Sequence, residues 1–146
     1  MEKNEILNRI NTGSANSMVS HLGIEITDIG EDFVTGKMPV DERTKHPLDR
    51  LHGGASVAFA ETLGSIAASM QVNFPKEIVV GLEINANHVK SVRNGWVYGT
   101  AKPVHIGKRT QVWDIRITNA EDELVCTSRL TVSVVKKNIG QKHQNA

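Results

Sequence analysis

The sequence has a single cysteine, Cys126, among its 146 residues. No intrachain disulfide can form, and a zinc site built from several cysteines of one chain is excluded. Charge of one sign is also missing: 17 Lys and Arg against 16 Asp and Glu leave a net charge of +1. This argues against a nucleic-acid protein whose affinity comes from bulk positive charge. It also argues against a disordered chain, which carries a high net charge and few aliphatic residues. Nowhere do apolar residues run for the roughly 18 positions that span a bilayer. The start, Met1-Glu2-Lys3-Asn4-Glu5, has no apolar core behind it and does not read as a signal peptide. Aromatic residues make up only 4% of the chain, yet the apolar set as a whole reaches 39%, which supports an ordinary core. The expectation is one cytoplasmic domain over residues 1–146 that meets neither membrane nor nucleic acid.

What is present falls into a simple order. Ile6, Leu7 and Ile10 stand at helical spacing within a helical extension over 1–17, stopped at Thr12-Gly13. A short piece from Ser17 to Leu22 follows, closed by Gly23. Gly30-Glu31-Asp32 separates two strand-like runs and reads as a hairpin. Residues 41–50 are polar, contain Pro47, and read as a loop. Gly53-Gly54 opens a helical pattern that runs to about Asn73, with Pro75 beyond it. Ile78–Val89, Trp96–Ile106, Thr110–Thr118 and Leu124–Val135 then read as four strands joined by short turns, Asn94-Gly95 being a strong turn signal. Trp96 and Trp113 both fall in strand patterns and are expected in the core. The polar, basic end, 137–146, is expected to be a flexible tail. A hairpin, one long helix and consecutive strands imply an α+β fold, an antiparallel sheet with the helix across it.

The long helix is the informative element. Between Arg50 and Lys76 the only charged residue is Glu61. On a helical wheel Phe59, Leu63, Ile66 and Met70 form one stripe, suited to packing on a sheet. Glu61 lies on the other side with Val57, Gly64, Ala68 and Val72, where a solvated face would carry Lys, Glu and Arg. A helix that is apolar or small all round is covered on both sides, and a second copy of the chain is the simplest cover for the side away from the sheet. A carboxylate there needs a partner or a task. The loop Leu51-His52-Gly53-Gly54-Ala55 brings backbone N–H groups to the positive end of the helix dipole, where they can hold a developing oxyanion. N–H donors at a helix start and a carboxylate two turns along suit acyl transfer.

Leu51-His52-Gly53-Gly54-Ala55-Ser56, followed by Glu61 and by Gly81-Leu82-Glu83-Ile84-Asn85-Ala86-Asn87-His88, resembles the hotdog-fold acyl-CoA thioesterases. The resemblance is to the Arthrobacter-type 4-hydroxybenzoyl-CoA thioesterase clan, and within it to the 1,4-dihydroxy-2-naphthoyl-CoA hydrolases and the enterobactin proofreading thioesterases. It spans roughly Met18 to Val135. It implies hydrolysis of an acyl-CoA, aromatic in its acyl part, to the free acid and coenzyme A, with no cofactor. It implies that Glu61 attacks the thioester carbonyl or activates water, and that the Gly53 N–H polarises that carbonyl with His52 beside it. Ser65 would position the attacking water, and His88 would line the acyl pocket near Gly54 and Thr62. Lys90, Arg93, Lys108 and Arg109 are cations available to the coenzyme A phosphates. Members of the clan are dimers of hotdogs, commonly paired into tetramers, with active sites built from two chains.

One position departs from the pattern. Where these relatives carry Gln-Pro, this sequence reads His46-Pro47; His46 can still donate a hydrogen bond. No HExxH or comparable ligand pair occurs, so no metal site is expected. Two other readings compete: a different hotdog reaction, hydration or dehydration of an acyl thioester, and a non-catalytic acyl-CoA binding module. The first pairs a His with its acid in another motif, and the second does not need Glu61.

Overall fold

Alternating apolar residues become strands and the small-residue segment becomes the long helix in the computed structural model, which describes residues 1–137. In chain order the elements are α1 (Lys3–Gly13), α2 (Met18–His21), β1 (Glu25–Ile29), β2 (Val34–Val40), β3 (Lys45–His46), β4 (Arg50–Leu51), α3 (Gly53–Ser69), β5 (Glu77–His88), β6 (Gly95–Ile106), β7 (Thr110–Thr118) and β8 (Leu124–Lys136). Six strands form one sheet in the order β1-β2-β6-β7-β8-β5, every neighbouring pair antiparallel. Helix α3 packs across this sheet, touching β2, β5, β6, β7 and β8. The architecture is the α+β hotdog arrangement, a sheet wrapped around one long helix.

The core sits between sheet and helix. In β7, Gln111, Trp113, Ile115 and Ile117 point inward while Asp114 and Arg116 point out. Trp113 Nε1–H donates to the buried Gln111 Oε1 at 2.8 Å, so the indole is satisfied without water. Phe59 and Leu63 of α3 are fully buried, each contributing about 1.5–3 kcal/mol. Their space comes from glycines. Gly36 and Gly99 face each other across β2 and β6, and a β-carbon on Gly99 would stand 2.5 Å from Leu63 Cδ1. On the helix, a β-carbon on Gly64 would meet Leu130 Cδ2 at 2.7 Å. Small residues on both surfaces let the helix lie close to the sheet.

The two edges of the sheet differ. At β1 the outward-facing backbone of Ile26 is already occupied: Asn11 Nδ2 donates to the Ile26 carbonyl and the Ile26 N–H donates to Asn11 Oδ1, both at 2.9 Å. Helix α1 thereby covers one edge. At the other, β5 leaves Val80 and Leu82 exposed along a strand of 12 residues.

Several expectations are corrected. Helix α3 ends at Ser69, one turn short of Asn73. Its buried residues include Gly64 and Ala68 together with Phe59 and Leu63, so the side that carries Glu61 is itself partly covered by the sheet. Ile66 is only half-buried and Met70 is exposed. Strand β5 pairs with β8, not with its successor β6, so Asn94-Gly95 closes no hairpin between them. The loop over 41–50 holds the short pair β3–β4. Trp113 is in the core, but Trp96 is partly exposed, with the Lys37 ammonium 4.5 Å above its ring. Lys136 closes β8, and the Lys137 N–H donates to the Lys76 carbonyl. The rest of the expected tail, 138–146, lies outside the described residues. Among the described residues no helix is long and apolar enough to cross a membrane.

Candidate active site

The start of α3 is held from three sides. The Leu51 N–H donates to the Val92 carbonyl and the His52 N–H to that of Thr44, both at 2.8 Å. Thr44 is itself buried, its hydroxyl donating to the Pro39 carbonyl at 2.8 Å. His52 is extended (φ −70°, ψ 131°) and caps the helix through its ring, Nδ1 accepting the Gly54 N–H at 2.8 Å. The His52 carbonyl accepts from Ala55 and Ser56. Among the described residues the N–H of Gly53, the first of the helix, has no acceptor. Four orphan N–H groups open every helix; here the chain satisfies its neighbours and leaves this one for something else. His88, at the end of β5, stands beside this residue: a β-carbon on Gly53 would lie 2.9 Å from His88 Nε2.

Glu61 lies two turns on. It is half-buried, among the half-buried Val57, Ala58 and Thr62. Its Oε2 stands 3.2 Å from where a β-carbon of Gly81 would be, so the carboxylate rests against the bare backbone of β5. The pairing of β5 with β8 slips beside it, between Gly81 and Glu83. No hydrogen bond or ion pair from a described residue reaches Glu61. Ser65 follows one turn later, also half-buried. The Thr62 hydroxyl spends its proton on the Ala58 carbonyl at 2.7 Å, leaving only lone pairs to offer. Along the helix axis Gly53 and Glu61 are about 12 Å apart at 1.5 Å per residue.

His46 lies near the helix start. Its ring meets that of His52 edge to face, centroids 6.4 Å apart and planes at 63°. The turn that follows is closed by the Asp49 N–H on the His46 carbonyl at 3.0 Å and clasped by a Lys45–Asp49 ion pair at 3.0 Å. The Lys45 ammonium, with Arg93 and Arg50 farther off, holds the Asp49 carboxyl below its ordinary range.

The structure gathers His46, His52, Gly53, Gly54 and His88 at one end of α3, and Glu61, Thr62 and Ser65 midway along it. The cations divide. Lys90 and Arg93 lie on the β5–β6 connection near the helix start, where Lys90 is paired with Glu123 at 2.9 Å and, together with Asn119, lowers that carboxyl's pKa. Lys108 and Arg109 are exposed on the β6–β7 turn. That turn lies toward the far end of α3, since the next residue but one, Gln111, reaches the Ala68 carbonyl. Among the described residues no three His, Cys, Asp or Glu side chains converge as a metal site would need. Gly81 escaped the reading of the sequence. A lone glycine inside a β-branched strand is the signal that marked it, since it denotes a bulge or a close approach.

A family model for the thioesterase superfamily matches residues 48–126. The 1,4-dihydroxy-2-naphthoyl-CoA hydrolase of Escherichia coli is 47% identical over 129 residues, covering 88% of this chain and 94% of that one. A proofreading thioesterase of Cronobacter turicensis is 44% identical over 129 residues, covering 88% and 93%. Among solved structures, a thioesterase from Haemophilus influenzae superimposes with a TM-score of 0.87 at 48% identity, over 95% of this chain and 94% of the other. The match thus spans the His52-Gly53-Gly54 loop, α3 with Glu61, and the strands that cover it: the chain belongs to the thioesterase superfamily of hydrolases.

Proposed function

We propose that the protein hydrolyses an acyl-CoA thioester, with an aromatic acyl group such as hydroxybenzoyl or dihydroxynaphthoyl, at sites shared between two copies of the chain. The observation that carries this reading is the pair of unpartnered groups on α3. Among the described residues the Gly53 N–H is a donor without an acceptor, and Glu61 is a half-buried carboxylate without a cation. A reacting carbonyl must lie about 3 Å from its oxyanion donors and within reach of its nucleophile or base. A separation of about 12 Å along one helix axis is too long for that. A second copy joined along the exposed edge of β5 would set Glu61 of one chain against Gly53 of the other. The relatives named above, one a naphthoyl-CoA hydrolase and one a proofreading thioesterase, support the same chemistry.

The Gly53 N–H donates to the thioester oxygen as it gains negative charge, at the positive end of the α3 dipole, with His52 beside it. Glu61 supplies either of two steps. As a general base it takes a proton from water, whose oxygen bonds to the carbonyl carbon while the C–S bond breaks. As a nucleophile its own oxygen forms that bond, and water then opens the mixed anhydride. In both cases the sulfur leaves with the C–S electron pair as a thiolate and becomes the coenzyme A thiol by taking a proton, from Glu61 in the first route and from solvent in the second. Ser65 orients the water and His88 lines the acyl side. Pairing of two such dimers into a tetramer fits the same reading, with Lys90, Arg93, Lys108 and Arg109 as the cations available to the nucleotide phosphates.

The test is thiol release from a panel of aromatic and aliphatic acyl-CoAs. The aromatic substrates are expected to be cleaved with the higher kcat/KM, and Glu61→Ala to lower the rate by at least about 10²-fold. No thiol release from any substrate, or a full rate in Glu61→Ala, overturns the assignment.

A further inference from the structure

The ring of His46 accepts a hydrogen bond from its own turn. The Leu48 N–H donates to His46 Nδ1 at 3.1 Å. A backbone amide nitrogen can only donate, so Nδ1 must present its lone pair. A neutral imidazole carries one N–H, and when Nδ1 accepts, that hydrogen is on Nε2. We propose that the turn His46-Pro47-Leu48-Asp49 locks His46 as its Nε2–H tautomer, making it a second side-chain donor to the thioester carbonyl. The assignment rests on the thioesterase reading given above.

The turn is built to hold this arrangement. Pro47 fixes its own φ near −65° at the second position of the turn, where proline is favoured. The Asp49 N–H closes the turn on the His46 carbonyl, and the Lys45–Asp49 ion pair clasps its two sides. The Leu48 N–H is thereby presented to the ring two residues before it. His52 repeats the logic six residues later, since its Nδ1 accepts the Gly54 N–H and its one hydrogen is also on Nε2. The two rings meet edge to face at 6.4 Å between centroids. Neither Nε2–H has an acceptor among the described residues. Two like donors thus lie side by side at the helix start, beside the unpartnered N–H of Gly53. A neutral ring nitrogen supplies what a side-chain amide N–H would supply, at a similar reach from the backbone, and its bond strengthens as the carbonyl oxygen gains charge. His46 and His52 would act as donors, not as bases, because the lone pair a base needs is already committed in both rings.

The tautomer can be read without any turnover. In the ¹⁵N-labelled protein, long-range ¹H–¹⁵N correlation at neutral pH is expected to show Nδ1 of His46 with the shift of an unprotonated nitrogen and Nε2 with that of a protonated one. A protonated Nδ1, or an even mixture, overturns the proposal. Leu48→Pro deletes the donor N–H and also restricts the backbone of Pro47 before it; if the variant folds, it should release the tautomer and lower kcat by about tenfold with little change in KM, whereas Leu48→Ala keeps the N–H and both properties. If Leu48→Pro does not fold, the wild-type spectrum still decides. His46→Ala should lose at least tenfold in kcat, and His46→Gln, an amide donor, should recover most of that loss. An Nε2–H signal with an unimpaired His46→Ala enzyme would overturn the donor role while the loss in Glu61→Ala left the thioesterase reading standing. A full rate in Glu61→Ala would remove that reading and leave the tautomer as a fact of the turn.

Discussion

The Glu61 carboxylate rests on Gly81: its Oε2 stands 3.2 Å from the position a β-carbon there would take. The glycine is exposed and its φ is not in the left-handed region, so what it supplies is clearance rather than backbone freedom. Gly81→Val should therefore leave thermal stability unchanged or raise it, since β-branched residues suit a strand better than glycine. It should displace the carboxylate and lower kcat by about tenfold, equivalent to about 1.4 kcal/mol of transition-state stabilisation. Tm and kcat measured side by side check this; a fall in both would mean a folding defect instead.

Gly53→Pro isolates the unpartnered N–H. Proline is favoured at the first position of a helix, and the extended His52 before it is compatible with that ring. The His88 ring must shift to admit the new carbons. The variant is expected to fold and to lose the rate that the N–H donor supplies, about 10²-fold or more.

Shared sites make a sharper forecast. Co-expressed with Glu61→Gln, Gly53→Pro should regain activity, because a mixed dimer contains one site with both groups intact. With random pairing in a two-fold dimer, about a quarter of the wild-type rate returns. Sites confined to single chains would give no recovery, and a rate assay on the co-purified mixture tells the two apart.

The glycines under α3 predict a cost of overpacking. Gly99→Val would drive methyl groups into Leu63 and Phe59, and Gly64→Val would do the same to Leu130 and Ile115. Each should destabilise by about 1–3 kcal/mol, visible as a lower urea midpoint with an unchanged slope.

Cys126 is fully buried in β8, and burial pushes its thiol pKa above the ordinary 9.0. The folded chain therefore holds a proton that the unfolded chain releases, so this group's contribution to stability is complete below pH 9 and declines as pH rises through 9.0 toward the folded value. A disulfide reagent at pH 8 should label Cys126 at the rate of opening, and far faster in denaturant.

Much of this was legible because local rules and the fold agreed. Glu61 stood out in the sequence because a 25-residue stretch with one charge cannot be a solvated helix face, and the structure keeps it half-buried with no partner among the described residues. The register of strands did not read so directly. Asn94-Gly95 has the chemistry of a tight hairpin, but which strand lies next to β5 is decided by the whole sheet, and β8 takes that place. How far the sheet covers α3 was less legible, because a wheel ranks bulky residues, whereas here Gly64 and Ala68, on the side that carries Glu61, are buried and Leu130 closes on Gly64. The approach of Gly81 to Glu61 joins residues twenty positions apart on two elements; the lone glycine in β5 marks a close approach, but nothing in either element says that Glu61 makes it.

The amide of Asn11 on the edge of β1 has a consequence for how copies of this chain can accumulate. A sheet with two open edges can add neighbours without limit, which is the geometry of a fibre. Here one edge is covered by the chain's own N-terminal helix, so the strand addition proposed at β5 would join two copies and leave no second open edge. In that assembly the first helix would act as a stopper, turning an open-ended growth reaction into one that terminates.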